Sequence, residues 1–185
     1  AVQSASGEIF VSDGYWQNKV HKFTNNGDLI CSWGEGEPVF NQEAWELYRK
    51  EDNPNATGNP GTGPGEFNLP HDVTVDSNNN VYIMDRENNR CQIFDTDGNF
   101  INQWEDVRGP NDAVIDDNEV MHIAEGIGSV LITTLEGEVI GRWGSRGEDP
   151  GNFRGFPHGI WIDNQRDMYI SEVGTTKGLQ KFARI

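Results

Sequence analysis

Short apolar runs alternate with polar positions along most of this chain, and each run closes on Gly, Asn or Asp. Alternation with a period of two predicts half-buried strands rather than helices. Four stretches repeat the same order of runs. Glu8–Gly34 reads EIFVSDGYWQNKVHKFTNNGDLICSWG, and Asn80–Glu105 reads NVYIMDRENNRCQIFDTDGNFINQWE. Glu119–Gly144 reads EVMHIAEGIGSVLITTLEGEVIGRWG, and Asp167–Ile185 reads DMYISEVGTTKGLQKFARI. In each copy a first strand ends in a carboxylate: Asp13, Asp85, Glu125 and Glu172. A second strand follows, ending near Phe23, Phe94, Ile132 or Phe182. Asn26-Gly27, Asp97-Gly98 and Glu136-Gly137 then supply hairpin turns in the first three copies. Their last strands end in Trp33, Trp104 and Trp143.

One more alternating run precedes three of the copies: HDVTVD from His71, NDAVID from Asn111 and HGIWID from His158. Each complete unit is then four short antiparallel strands in about 40 residues, the period of a propeller blade. The predicted fold is all-β, a β-propeller with about four blades near residues 1–36, 65–106, 107–147 and 148–185. Residues 37–64 form an insertion, a loop with a short helix at NQEAWELYRK and Asn41 as its cap. Both ends of the chain cut into a repeat, so these blades are expected to be part of a longer ring. Open blade faces and an unpaired edge at LQKFARI predict homo-oligomer pairing through the propeller edges.

Composition narrows the partners. The 30 acidic residues against 14 basic ones give a net charge of −16, which repels phosphate. No nucleic acid partner and no membrane partner is expected. Cys31 and Cys91 occupy non-equivalent points of different repeats, so free thiols are predicted. Asn55 begins a glycosylation sequon, NAT, which has meaning only in a secreted eukaryotic protein.

Candidate chemistry sits where the repeats differ. Only four histidines occur, and two of them, His71 and His158, follow a proline at the head of the inner-strand run. The blade between them carries Pro110-Asn111 at that position. Inner strands line the propeller axis. Histidines at the same place on alternate blades point toward that axis.

The stretch GPGEFNLPHDVTVDSNNNVYIMDRENNRCQIFDTDGNF resembles the NHL repeat. VSDGYWQNKVHKF, FNLPHDVTVD with MDRENNR, and FPHGIWID together resemble peptidyl-α-hydroxyglycine α-amidating lyase. The resemblance implies a six-bladed propeller with zinc in its channel, bound by three histidines. His71 and His158 then match two metal ligands, the third lying outside this sequence. Tyr15 matches the catalytic base, and Arg86 an arginine that holds the substrate carboxylate or stabilises the tyrosinate. The implied function is a metal-dependent lyase that cleaves a small peptide or hydroxyglycine-like substrate to a peptide amide and glyoxylate. It also implies a secreted or periplasmic setting, which the residues themselves leave open. Gly159 stands where the family has a calcium-binding aspartate, so calcium is not carried over. Trp16 stands where vertebrate members have a cysteine, so their disulfide is absent.

Each candidate also has a purely structural reading. His71 and His158 would cap inner strands, Tyr15 would be an aromatic on the propeller face, and Arg86 would pair with Asp85 or Glu87 at the surface. The alternative function is a non-catalytic NHL scaffold that binds a protein or peptide. His21 is expected to point outward and His122 to serve packing. The recurring Asp13, Asp85, Glu125 and Glu172 are expected to bond turn backbone, and the three tryptophans to pack between blades.

Overall fold

A computed structural model describes residues 1–15, 17–34, 61–175 and 178–184. These residues form four antiparallel sheets arranged as the blades of a β-propeller. The first blade holds β1 (Val2–Gln3), β2 (Ile9–Asp13), β3 (Lys19–Phe23) and β4 (Leu29–Trp33). The second holds β5 (Pro70–Val75), β6 (Val81–Asp85), β7 (Arg90–Phe94) and β8 (Phe100–Trp104). The third holds β9 (Pro110–Ile115), β10 (Val120–Glu125), β11 (Ser129–Thr134) and β12 (Val139–Trp143). The fourth has three described strands, β13 (Phe156–Ile162), β14 (Met168–Val173) and β15 (Leu179–Phe182). Strand order within every sheet follows the sequence, so each blade is a simple meander. The expected helix at 41–50 and the Asn55 sequon lie outside the described residues.

Alternation explains how the blades stack. Val81 and Ile83 of β6 face the first blade, in a cluster with Phe10, Val20 and Phe94. Tyr82 and Met84 of the same strand face the third blade, among Met121, Ile123 and Leu131. Both faces of β6 are therefore covered, and all five of its residues are buried. The period-two reading predicts one wet face; a middle strand of an inner blade has none. A third cluster joins Ala124 and Val130 to Ile160 and Ile170 of the last blade. Cutting Ile83 to alanine would cost roughly 2–5 kcal/mol, the usual range for a fully buried aliphatic side chain.

The tryptophans pack between blades. Trp33 lies 6.0 Å from Phe94 of the next blade, and Trp143 lies 4.8 Å from Phe182 of the next. Hairpin glycines permit this contact. A Cβ on Gly137, whose φ is 91°, would lie 2.5 Å from the Trp104 ring of the blade before it.

Three of the recurring carboxylates bond the backbone that leads into their own blade. Asp85 accepts the Asn68 N–H at 2.7 Å, Glu125 that of Arg108 at 2.9 Å, and Glu172 that of Gly155 at 2.7 Å. Asp13 accepts the Gln17 side-chain amide at 3.0 Å. His122 does more than pack, since its Nε2 lies 3.4 Å from Asp116. His21 bonds Ser32 Oγ through Nδ1 at 2.7 Å, on its own outer strand. Both thiols are free.

Candidate active site

Tyr15, His71, Arg86 and His158 converge at one end of the inner strands. Each reaches it by a different local device. Tyr15 follows β2 through Gly14, which presses against the head of β5. A Cβ at Gly14 would lie 2.6 Å from the Pro70 carbonyl oxygen, so only glycine lets this turn come so close. Arg86 opens a 3-10 turn, Arg86–Asn88, directly after β6. Its N–H donates to the Leu69 carbonyl at 3.2 Å, tying that turn to the residue before Pro70. Leu69 itself is left-handed, with φ 61°, at a cost of about 1–2 kcal/mol for a non-glycine residue. Its N–H donates to the side-chain oxygen of Asn18 at 2.9 Å, and Asn18 is fully buried.

A directional chain of hydrogen bonds runs through the site. Arg86 Nη1 donates to the Tyr15 hydroxyl oxygen at 3.3 Å. The Tyr15 hydroxyl lies 3.2 Å from His71 Nε2. His71 Nδ1 lies 2.5 Å from the Asn111 carbonyl oxygen. A carbonyl only accepts, so Nδ1 carries the proton, Nε2 keeps its lone pair, and the Tyr15 hydroxyl donates to it. Burial pushes the His71 pKa down to about 4, and the Arg86 and His158 charges push the same way, so the ring is neutral near pH 7. The His158 ring lies 4.8 Å from that of His71, nearly perpendicular at 82°. Burial, then the Arg86 charge, lowers its pKa as well.

Arg86 takes both surface and site roles. Glu87 Oε1 accepts from its Nε at 2.8 Å and pairs with Nη2 at 2.7 Å. That leaves Nη1 aimed at Tyr15, with the guanidinium carbon 5.9 Å from the Tyr15 ring.

Three functional features carry signals that residue-type reasoning passed over. Asn111, read only as a gap in the histidine alternation, joins the two Pro-His units. Its carbonyl holds His71, and its side-chain amide donates to the Pro157 carbonyl at 2.7 Å, next to His158. Asp72 and Asp112 lace the inner strands together. Asp72 accepts the Ala113 N–H at 3.1 Å and Asp112 that of Ile160 at 2.7 Å. Burial, then the Asp112 charge, raises Asp72 to about 7, and burial raises Asp112. Gly159 replaces the equivalent aspartate in the last blade, and a Cβ there would lie 2.6 Å from Ser171 Oγ. The signal for Asp72 and Asp112 was their shared place one residue after the Pro-His or Pro-Asn pair.

Beside this chain of residues opens a cavity of about 330 Å³, lined among others by Tyr15, Arg86, Asn111, Phe156, His158 and Val173.

Residues 67–94 match the NHL repeat. Peptidyl-glycine alpha-amidating monooxygenase A of Xenopus laevis is 32% identical over 105 residues, which are 56% of this chain and 9% of that protein. NHL repeat-containing protein 3 of Homo sapiens is 50% identical over 48 residues, 25% of this chain and 14% of that protein. The chain thus spans only a small part of the curated relatives it matches. Among solved structures, virginiamycin B lyase from Staphylococcus aureus superposes with a TM-score of 0.62 at 16% identity, covering 98% of this chain and 54% of that one. At that identity the likeness concerns the fold alone, and the fold it supports is the propeller.

The two imidazoles suit a zinc donor set. Both are held neutral, and the Nδ1–H bond of His71 to a carbonyl is the outer-shell contact that orients a metal-binding histidine. They are two of the three donors that the resemblance implies. Among the described residues no cluster of three His, Cys, Asp or Glu side chains is placed to hold a metal.

Proposed function

We propose that this chain carries part of the active site of a metal-dependent lyase that converts a peptidyl-α-hydroxyglycine to a peptide amide and glyoxylate. The observation that carries the reading is the Arg86–Tyr15–His71 chain beside His158. The similarity to an amidating monooxygenase supports the same reading. In this reaction the substrate hydroxyl loses its proton and its oxygen becomes the aldehyde oxygen of glyoxylate. The bond from the α-carbon to the amide nitrogen breaks, and that nitrogen leaves as the amide after gaining a proton.

Tyr15 is the base in this scheme. Its oxygen must carry negative charge to take the hydroxyl proton, and Arg86 Nη1 donates to that oxygen. Of the two roles open to Arg86, the geometry favours stabilising the tyrosinate over holding a carboxylate, because Glu87 already occupies Nε and Nη2. His71 and His158 would hold zinc, His71 through the Nε2 lone pair that now accepts from Tyr15, so the metal would replace that hydrogen bond. When bound it would polarise the substrate hydroxyl and favour the ionised phenol. The test is glyoxylate release from an α-hydroxyglycine peptide by zinc-loaded protein. Release that is lost in Tyr15→Phe supports the reading; zinc uptake with no release above spontaneous hydrolysis sinks it.

The competing reading is a binding scaffold without catalysis. The high local identity to NHL repeat-containing protein 3 favours it, since shared repeats need no shared chemistry. Zinc content separates the two: stoichiometric zinc lost with His71→Ala favours the lyase, and a metal-free protein favours the scaffold.

A further inference from the structure

The lyase reading leaves open which peptides would enter the cavity, and the apolar part of its lining speaks to that. Phe156 and Val173 both line the cavity and sit opposite each other in the β13–β14 pairing. Their exposures are 46% and 44%, high for large apolar residues beside a histidine site. The Phe156 ring is also held in place. Arg146 lies with its guanidinium carbon 4.3 Å from the ring centroid, and its Nη1 donates to the Gly155 carbonyl at 2.8 Å. A Cβ at Gly174 would lie 3.4 Å from the ring, so the strand end meets its edge. The ring is therefore an ordered apolar surface rather than a loose side chain.

The rest of the lining is polar and carries both charges, with Tyr15, Arg86, Glu87, Asn111 and His158. A ligand filling this space meets hydrogen-bonding groups together with a phenyl and an isopropyl group. The volume, about 330 Å³, suits a short peptide end rather than a whole folded partner. An acidic side chain set against Phe156 and Val173 would lose hydration and gain no apolar contact.

We infer that Phe156 and Val173 form a subsite for an aromatic or branched aliphatic side chain on the residue preceding the reacting glycine. The inference rests on the lyase reading for the identity of that glycine. It requires substrates ending in a hydrophobic residue followed by α-hydroxyglycine, and it disfavours those ending in aspartate or glutamate there.

The experiment compares N-acetyl-Phe-Gly with N-acetyl-Glu-Gly, unreactive stand-ins, by titration calorimetry on the native chain, Phe156→Ser and Val173→Ser. Both side chains are exposed, so neither variant threatens folding. The phenylalanyl peptide should bind at least about tenfold tighter than the glutamyl one, the scale of one well-buried apolar group. Phe156→Ser should remove most of that difference and leave the glutamyl peptide within about twofold. Equal binding of the two peptides, no binding of either, or a preference unchanged in both variants overturns the subsite. Glyoxylate release from the matching α-hydroxyglycine peptides is then measured separately. A binding preference without release keeps the subsite and removes the lyase; release without preference does the reverse.

Discussion

The two Pro-His units share a motif and differ in almost everything around it. In the second blade the residue before proline is Leu69, left-handed and 5% exposed. In the fourth it is Phe156, 46% exposed and facing the cavity. His71 is bonded at both ring nitrogens, to Tyr15 and to Asn111. Among the described residues, neither nitrogen of His158 has a hydrogen bond. An aspartate follows His71 and reaches the neighbouring inner strand; a glycine follows His158, where a Cβ would lie 2.6 Å from the Ser171 hydroxyl. One motif thus yields a fixed, tautomer-defined imidazole and a second ring held by its strand and by packing against the first. The lesson is that a repeat supplies the place of a side chain, whereas its chemistry comes from the blade next door.

That asymmetry can be broken, and the largest effect is expected at Tyr15. Tyr15→Phe keeps the ring and removes the hydroxyl that links Arg86 to His71. Turnover should fall about 10²- to 10⁴-fold, the range for a positioned general base, with zinc affinity not reduced. An unchanged rate constant would remove Tyr15 from the chemistry.

The next effect separates the histidines. His71→Ala and His158→Ala should each lower zinc affinity by more than about tenfold in equilibrium dialysis, because each removes a donor. Asn111→Ala should weaken zinc binding less than either, through the freed Pro157 carbonyl beside His158. If Asn111→Ala exceeds His158→Ala, His158 is not a ligand.

The glycines test the packing side of the comparison. Gly14→Ala puts a methyl group against backbone at Pro70, which cannot rotate away, and should cost about 1–3 kcal/mol in denaturant unfolding. Gly159→Ala meets the Ser171 hydroxyl, which can rotate, so its loss should be the smaller of the two. The reverse order would show that the Tyr15 turn is not held by its contact with β5.

The smallest effect is in pH. The His71 pKa falls from 6.5 to about 4 on folding, so the unfolded chain binds more protons in that window. Stability should therefore decline as pH falls from about 6.5 to about 4, and level off below. The difference in unfolding midpoint between native protein and His71→Asn, measured at stepped pH, should change across that window; a flat difference would mean that His71 titrates normally.

Much of the fold is legible in the chain because a blade is a local object. Strands alternate with period two, Gly follows Asn, Asp or Glu at the hairpins, and the carboxylate and tryptophan recur at fixed offsets. Those patterns depend on neighbours within about 40 residues, which is one unit of the repeat. The pairing of His71 with His158 was legible for the same reason, since equivalent places in equivalent strands point to one axis. What the pattern misjudged was burial in β6, both of whose faces are covered by neighbouring blades.

The remainder is set by contacts between blades, which leave no trace in local spacing. Tyr15 is an ordinary turn aromatic until Gly14 lets it meet the head of β5. Asn111 is an interruption in the histidine series until its carbonyl meets His71 and its amide meets Pro157. Arg86 belongs both to a surface ion pair and to the site, and only the orientation of its third nitrogen decides between them. Periodicity in the sequence determined the strands, the blades and the two histidines that face the axis, because each follows from backbone geometry within a unit. Tertiary structure decided protonation, tautomer and which side chain meets which, because those depend on burial and on groups brought from the next blade across the channel.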